Sequence, residues 1–278
     1  MSEIIKSLAE SDYHGNKINK TPLFSYSTAK TIIKKSPYHA WLYHPLLGGE
    51  SYPKSAAMNK GSIIHELLLG GGSEIVVIEA DSFRTKEARD KKAEAEDAGK
   101  NPILAKDMDE INVSLDRIKE QIKLYAPYFF EPHESELSVM WELDNGVKCK
   151  SRFDWIQLGA GRMIDLKTTN DATTSKIGNK IIDFGYDIQE AFYRKCAEKT
   201  WPEMAGRFSW EFIFVETEPP YMVSVIETDE QFAWMGKHKY ERASETWREC
   251  LESGEWPGYG KQKIAAPGWA VVKEGEEE

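Results

Sequence analysis

The segment Ser151-Arg-Phe-Asp154-Trp-Ile-Gln-Leu-Gly-Ala-Gly-Arg-Met-Ile-Asp165-Leu-Lys167-Thr-Thr169 holds two acids and a lysine at a telling spacing. On a strand, residues i and i+2 share a face, so Asp165 and Lys167 point the same way while Leu166 points into the sheet. Two carboxylates suit a hard divalent cation such as Mg²⁺, with Mn²⁺ as a substitute. A lysine beside such an ion can orient or deprotonate a water, or neutralise charge building on a phosphate. The chemistry implied is metal-dependent phosphodiester hydrolysis.

Hairpins must place these residues. Glu136–Leu143 reads as a strand, and Asp144-Asn-Gly146 is a strong turn signal. Val147–Asp154 then alternates Val147, Cys149 and Phe153 with Lys148, Lys150 and Arg152, the pattern of a half-buried strand. A three-residue loop at Asp144–Gly146, with Gly146 left-handed, pairs Glu136 with Asp154. A two-residue II′ turn at Gly159–Ala160 pairs Asp154 with Asp165. Under these registers Glu136, Asp154 and Asp165 form a row across one sheet face beside Lys167, and a slip of one residue in either loop breaks it.

These residues resemble the PD-(D/E)xK nuclease core in its RecB-like branch. That branch adds a glutamine and a tyrosine on the following helix, which Gln189 and Tyr193 supply at i, i+4. The likeness is closer to the RecE-type exonuclease (exonuclease VIII) family. It is carried by Glu136…Trp141, Cys149-Lys-Ser-Arg-Phe-Asp154, Asp165-Leu-Lys-Thr-Thr169 and Gln189-Glu-Ala-Phe-Tyr193. Gly61-Ser-Ile-Ile-His65 resembles that family's helix with a metal-ligand histidine, and Glu255-Trp-Pro257 and Pro267-Gly-Trp269 its C-terminal end. Phe153 stands where the core name expects proline, a position that is not a ligand.

Taken alone, His65 among Ile63, Ile64, Leu67 and Leu68 reads as a core histidine. The resemblance implies instead a metal shell of His65, Asp154, Asp165 and the Leu166 backbone carbonyl. Glu136 either pairs with Lys148 or Arg152 or lies at a second metal or its water; the second is the expectation. The resemblance also implies that Lys167 activates the attacking water, that Gln189 orients the lysine or nucleophile, and that Tyr193 contacts the DNA backbone. Arg152 either binds a phosphate or pairs with Glu136. Ser27 and Lys30 are candidates for a terminal 5′-phosphate at a helix N-terminus.

The chain of 278 residues, 41% hydrophobic and 12% aromatic, is long enough for one large α/β domain. A single nuclease domain over 1–278 is expected, with 1–25 and 270–278 loosely ordered. Cys149, Cys196 and Cys250 have neither zinc nor iron–sulfur spacing and form no disulfide framework, which points to a reducing cytoplasm. No signal-type or membrane-length apolar run is present, so no membrane association is expected. A net charge of −10 is awkward for a nucleic-acid enzyme. Part of it lies in the tail Glu274–Glu278, and Lys30, Lys34, Lys35, Lys54, Lys60, Lys148, Lys150 and Arg152 remain to line one groove.

Along the chain, Ser27 is expected to cap a helix to about Tyr43, broken near Pro37. A second helix is expected over Lys54–Leu69, a strand over 74–79, a solvated charged helix or loop over 84–100, and a helix over Asp107–Tyr125. After the hairpins, 170–184 reads as a polar loop suited to a substrate-facing lid. The Gln189 helix, strands at Phe208–Val215 and Tyr221–Glu227 and a helix over Asp229–Ser253 follow. The order fits an α/β sandwich with a mixed central sheet flanked by helices, and the resemblance implies that it is a PD-(D/E)xK restriction-endonuclease-like core.

The expected function is a Mg²⁺-dependent deoxyribonuclease on linear double-stranded DNA ends. The resemblance implies 5′→3′ polarity, a homo-oligomeric ring, and a RecT-like single-strand annealing protein as partner in a phage-type recombination pair. Three readings differ from it: a structure- or site-specific endonuclease, a non-catalytic DNA-binding or assembly module, and a hydrolase of small phosphodiesters.

Overall fold

The computed structural model describes residues 2–50, 56–70, 74–266 and 268. The expectations for Lys54, Pro267, Trp269 and 270–278 fall outside these residues. The described elements run β1 (Glu3–Ile5), α1 (Glu10–His14), α2 (Tyr26–Lys34), α3 (Pro37–Tyr43), α4 (Ala56–Leu69), β2 (Ile75–Ile78), α5 (Lys86–Asp97), β3 (Asn101–Leu104) and α6 (Ala105–Tyr125). There follow β4 (Glu134–Glu142), β5 (Lys148–Gln157), β6 (Arg162–Thr169), α7 (Thr174–Phe184), α8 (Tyr186–Thr200), β7 (Ser209–Glu216), β8 (Val223–Ile226) and α9 (Glu230–Ser253).

Six strands form the central sheet in the order β1-β4-β5-β6-β7-β8. Only β6 and β7 pair in parallel and the other neighbours are antiparallel, so the sheet is mixed as expected. Apolar residues of α2, α3, α7, α8 and α9 pack against one face. Residues of α4 and α6 pack against the other, where Ile111, Leu115, Ile118 and Ile122 recur at helical spacing. A small parallel pair, β2-β3, stands apart from the main sheet.

Both hairpin registers hold. Ser135↔Trp155 and Leu137↔Phe153 flank Glu136 and Asp154, which places those two opposite each other. Gly146 takes φ +81°, the left-handed residue that the three-residue loop needs. The second loop keeps the register with a different turn. Leu158–Ala160 form a 3₁₀ turn and Gly161, not Gly159, is left-handed at φ +65°. Trp155↔Ile164 is the last pair of the ladder, so Asp154 and Asp165 stand one step beyond it.

Three further expectations are corrected, and the break expected near Pro37 is borne out. Ser25, not Ser27, caps α2, its hydroxyl accepting from the Thr28 N–H at 3.3 Å. The break at Pro37 is a new helix capped by Ser36, with proline at its first position, where a missing N–H costs nothing. The polar stretch 170–184 is mostly the helix α7, which buries Ile177 and Ile181 one turn apart. The first 25 residues, expected to be loose, carry β1 on the edge of β4 and α1, whose Tyr13 is buried.

Candidate active site

The site forms where β5 and β6 part. Cys149, Phe153 and Ile156 face the α8 side, yet Trp155 faces the α4 side. Strict alternation would put Phe153 and Trp155 together, so the strand changes phase at Asp154. Its partner Glu136 sits at φ +53°, a strained conformation for a residue with a side chain. Beyond the split, the Leu166 N–H donates to Asp154 Oδ2 at 3.1 Å, so a carboxylate satisfies a backbone group next to the point where the ladder ends.

The phase change divides the expected row of acids. Asp154 reaches α4, where His65 Nε2 lies 3.0 Å from its Oδ2. The helix can come this near because a Cβ on Gly61 would meet Thr168 Oγ1 at 2.5 Å; only glycine lets α4 lie so close to β6. Ligand atoms of His65, Glu136 and Asp154 all lie within 4.8 Å of one another. Opposed ligands of a cation bound at about 2.1–2.4 Å lie about 4–5 Å apart, so this imidazole and these carboxylates fit a divalent ion in both spacing and donor type.

Asp165 belongs to a different set. It is buried, pairs with Lys167 through Oδ1, and accepts the Gln189 side-chain N–H from α8 through Oδ2. Lys167 lies 4.6 Å from the Tyr186 ring centroid, a cation–π contact. The structure brings the two sets together as neighbours and divides the single row that the registers predict. The Leu166 side chain is core, and the contact seen at Asp154 is its N–H.

The electrostatics follow from this division. Burial pushes the Asp165 carboxyl up, the negative charge of Asp154 adds to it, and the group sits at about 7 despite Lys167. Burial also acts to raise Asp154, but the His65 imidazolium, Lys167 and the Leu166 N–H outweigh it and hold the carboxyl below its usual range. Burial pushes His65 down, while Asp154, Glu136 and Asp165 overcome it and raise the imidazole. Lys167 is raised because Asp165 outweighs burial, so its side chain stands as an ammonium that donates and neutralises charge. Glu136 is raised by burial and by Asp154, in spite of its partner Arg152.

The candidate DNA contacts are placed differently from expectation. Tyr193 is buried at 5% exposure, and its hydroxyl accepts from the Arg152 backbone N–H at 3.2 Å. It shares a helix face with Gln189 as expected, but that face meets β5 and offers no tyrosine to a ligand. Arg152 pairs with Glu136 and lies 5.7 Å from the Tyr13 ring. Lys150 is buried under the same segment, donating to the Tyr13 carbonyl at 2.6 Å, and burial lowers its ammonium to about 8. Both were expected on a solvated face; the N-terminal segment covers it. Ser27 is exposed on the first turn of α2. Lys30, one turn on, lies 5.3 Å from the Tyr26 ring, and burial, then Lys167 and Lys35, lower it to about 8.

Two residues at the site went unread in the sequence. Tyr26 is near enough for Lys167, Asp165 and Asp154 to act on its hydroxyl, which burial raises to about 12. Tyr186 covers the Lys167 ammonium. Its signal was present, since it precedes Gln189 by three residues on the same helix face.

A family model described as a PDDEXK-like domain of unknown function (DUF3799) matches residues 25–265. The fold is similar to that of a candidate exonuclease from Eubacterium rectale, with a TM-score of 0.64 over 98% of this chain and 100% of that one, at 16% identity. A phage-related exonuclease from Haemophilus somnus gives a TM-score of 0.35 over 86% of this chain and 99% of that one, at 14% identity. Only the first of these likenesses speaks to the fold, and to the fold alone. No curated protein matches the sequence.

Proposed function

The chain belongs to the PDDEXK-like DUF3799 family, and on that premise we propose that it is a divalent-metal-dependent deoxyribonuclease acting on the ends of linear duplex DNA. The observation that carries the reading is the meeting of His65, Glu136 and Asp154 within 4.8 Å, beside the pair Asp165–Lys167 held by Gln189. His65, Asp154 and Glu136 would hold Mg²⁺ or Mn²⁺; Asp165 and the Leu166 carbonyl belong to the shell that the resemblance implies, Asp165 exchanging a contact with Lys167 or Gln189 to join it. The bound ion would supply positive charge against the phosphate as the phosphodiester bond breaks.

The protein's own groups do the rest. Gln189 keeps Asp165 in place, and Asp165 keeps the Lys167 ammonium aimed beside the donor cluster. From there Lys167 orients the attacking water and donates to a phosphate oxygen. Lys30, with Ser27 at the start of α2, would meet a phosphate of the substrate near Lys167. Tyr193 acts by holding the backbone of Arg152, and Arg152 by holding Glu136.

The finer reading is 5′→3′ digestion in a phage-type recombination pair of the RecE type. A single-strand annealing protein would coat the exposed 3′ strand, and a ring of subunits would give processivity. It is supported by the motif resemblance carried by Asp154, Asp165, Lys167 and Gln189.

The test is digestion of linear duplex DNA labelled separately at each 5′ and 3′ end, with covalently closed circles, EDTA and Lys167→Ala as controls. Early release of the 5′ label with circles spared and both controls inactive is the expected result. Cut circles would replace the exonuclease with an endonuclease. No metal-dependent cleavage in any lane would overturn the nuclease reading.

A further inference from the structure

Helix α8 carries Gln189 and Tyr186 toward Asp165 and Lys167, yet it begins without a side-chain cap. Its N-cap is Gly185 at φ +70°, which has no side chain to accept an N–H. The Gly185 carbonyl accepts from the Ile188 and Gln189 N–H groups at 3.1 and 3.3 Å, so side chains that fix this turn further come from outside the cap.

Two contacts from α9 do so at the same point. Asp187 lies within the first turn of α8, between Tyr186 and Gln189, and its side chain is fully buried. Its Oδ2 takes the ammonium of Lys239 on α9, and among the described residues its Oδ1 has no hydrogen-bond partner. Gly236, one turn before Lys239, touches the same residue from the backbone side. A Cβ there would lie 1.9 Å from the Asp187 carbonyl oxygen and 3.1 Å from Ala191 Cβ. Nothing larger than hydrogen fits, so α9 bears directly on the backbone of the turn that holds Gln189.

We propose that Lys239 and Gly236 are positioning residues of the active site: α9 uses them to clamp Asp187 and so to aim Gln189 at Asp165 and Tyr186 at Lys167. Neither touches the substrate or the reacting atoms. The clamp explains why a fully buried carboxylate is kept at this place, where an apolar residue would pack at less cost. The consequence for the reaction rests on reading Asp165, Lys167 and Gln189 as catalytic, whereas the clamp itself does not.

The test separates the two. The side-chain amide of Gln189, assigned by its disappearance in Gln189→Leu, is followed by NMR in the full chain. Lys239→Met is expected to shift that amide pair and speed its hydrogen exchange, while the Asn145 amide stays unchanged. Lys239→Arg keeps a cation at Asp187 and is expected to restore the wild-type signal. On DNA, Lys239→Met should lower kcat on the order of 10²-fold with KM little changed, as a misplaced catalytic group does. If Lys239→Met does not fold because Asp187 is left uncompensated, the double variant Lys239→Met/Asp187→Asn removes the buried charge. The Gln189 amide is expected to remain displaced in it. A folded variant with the Gln189 amide and kcat at their wild-type values would overturn the proposal. Should the wild-type chain cleave no DNA, the nuclease reading fails, and the amide signal still decides the clamp.

Discussion

His65 and His44 are both largely withdrawn from water, and the structure gives them opposite fates. His44 ends α3 at 5% exposure. Its Nδ1 accepts from the Leu46 N–H at 3.2 Å and its Nε2 donates to the Leu23 carbonyl at 3.3 Å, which is one proton's worth of bonding. Burial lowers it to about 4, with Lys150 adding to the effect. His65 meets Asp154, Glu136 and Asp165 instead, and they raise it against the same burial. Backbone groups make a neutral imidazole comfortable; carboxylates make a place for positive charge, whether a proton or a metal. The contrast sets the candidate site at α4 and β5 apart from architecture at α3.

The largest effects should come from the charged region. Lys167→Ala or Asp154→Ala is expected to cut DNA hydrolysis on the order of 10³-fold or more while leaving the fold intact. The sheet core around Phe153, Phe192 and Phe212 does not depend on either side chain. Single-turnover rates with matched circular dichroism spectra check this. A variant that folds and cleaves like wild type would break the assignment of chemistry to this half of the molecule.

The same contrast shows how far the sequence could be read. The registers were legible because loop length and Gly146 decide which residues face each other. The choice of Gly159 over Gly161 as the left-handed residue cost nothing, since both turns preserve the pairing. The row of three acids was not legible in detail. Its division depends on the phase change at Asp154, where Trp155 turns to the α4 core and Phe153 to the α8 core; both are large apolar residues at strand spacing. Nor did any pattern reveal that Tyr13 covers Lys150 and Arg152, because a contact between residues so distant in the chain leaves no periodicity. His44 carried no signal at all: a histidine between Tyr43 and Pro45 looks like loop chemistry until the backbone folds around it.

Metal addition sharpens the comparison next. An ion that binds only the folded chain stabilises it by about 4 kcal/mol at a thousand times its Kd. Thermal melts of the wild type should therefore rise as Mg²⁺ or Mn²⁺ is titrated. His65→Ala should weaken that rise by removing a donor from the cluster, and His44→Gln should leave it unchanged. An equal rise in all three proteins would place the ion away from His65, Glu136 and Asp154.

The smallest effect is the pH dependence of stability in EDTA, and here the two histidines should act with opposite sign. The folded pKa of His44 is lowered to about 4, below the ordinary imidazole value of 6.5, so between those values the unfolded chain binds more protons. Its contribution is present above pH 6.5 and is lost as the pH falls toward 4. The span corresponds to about 3 kcal/mol, by order of magnitude. His65 is raised above 6.5, so its contribution is present below that pH and is lost as the pH rises through the folded value. Denaturant midpoints measured from pH 4 to 8 should show His44→Gln flattening the acid side of the profile and His65→Gln flattening the alkaline side. If both substitutions act on the same side, the neighbours do not set the two charges apart, and the distinction between a core imidazole and a ligand imidazole fails with it.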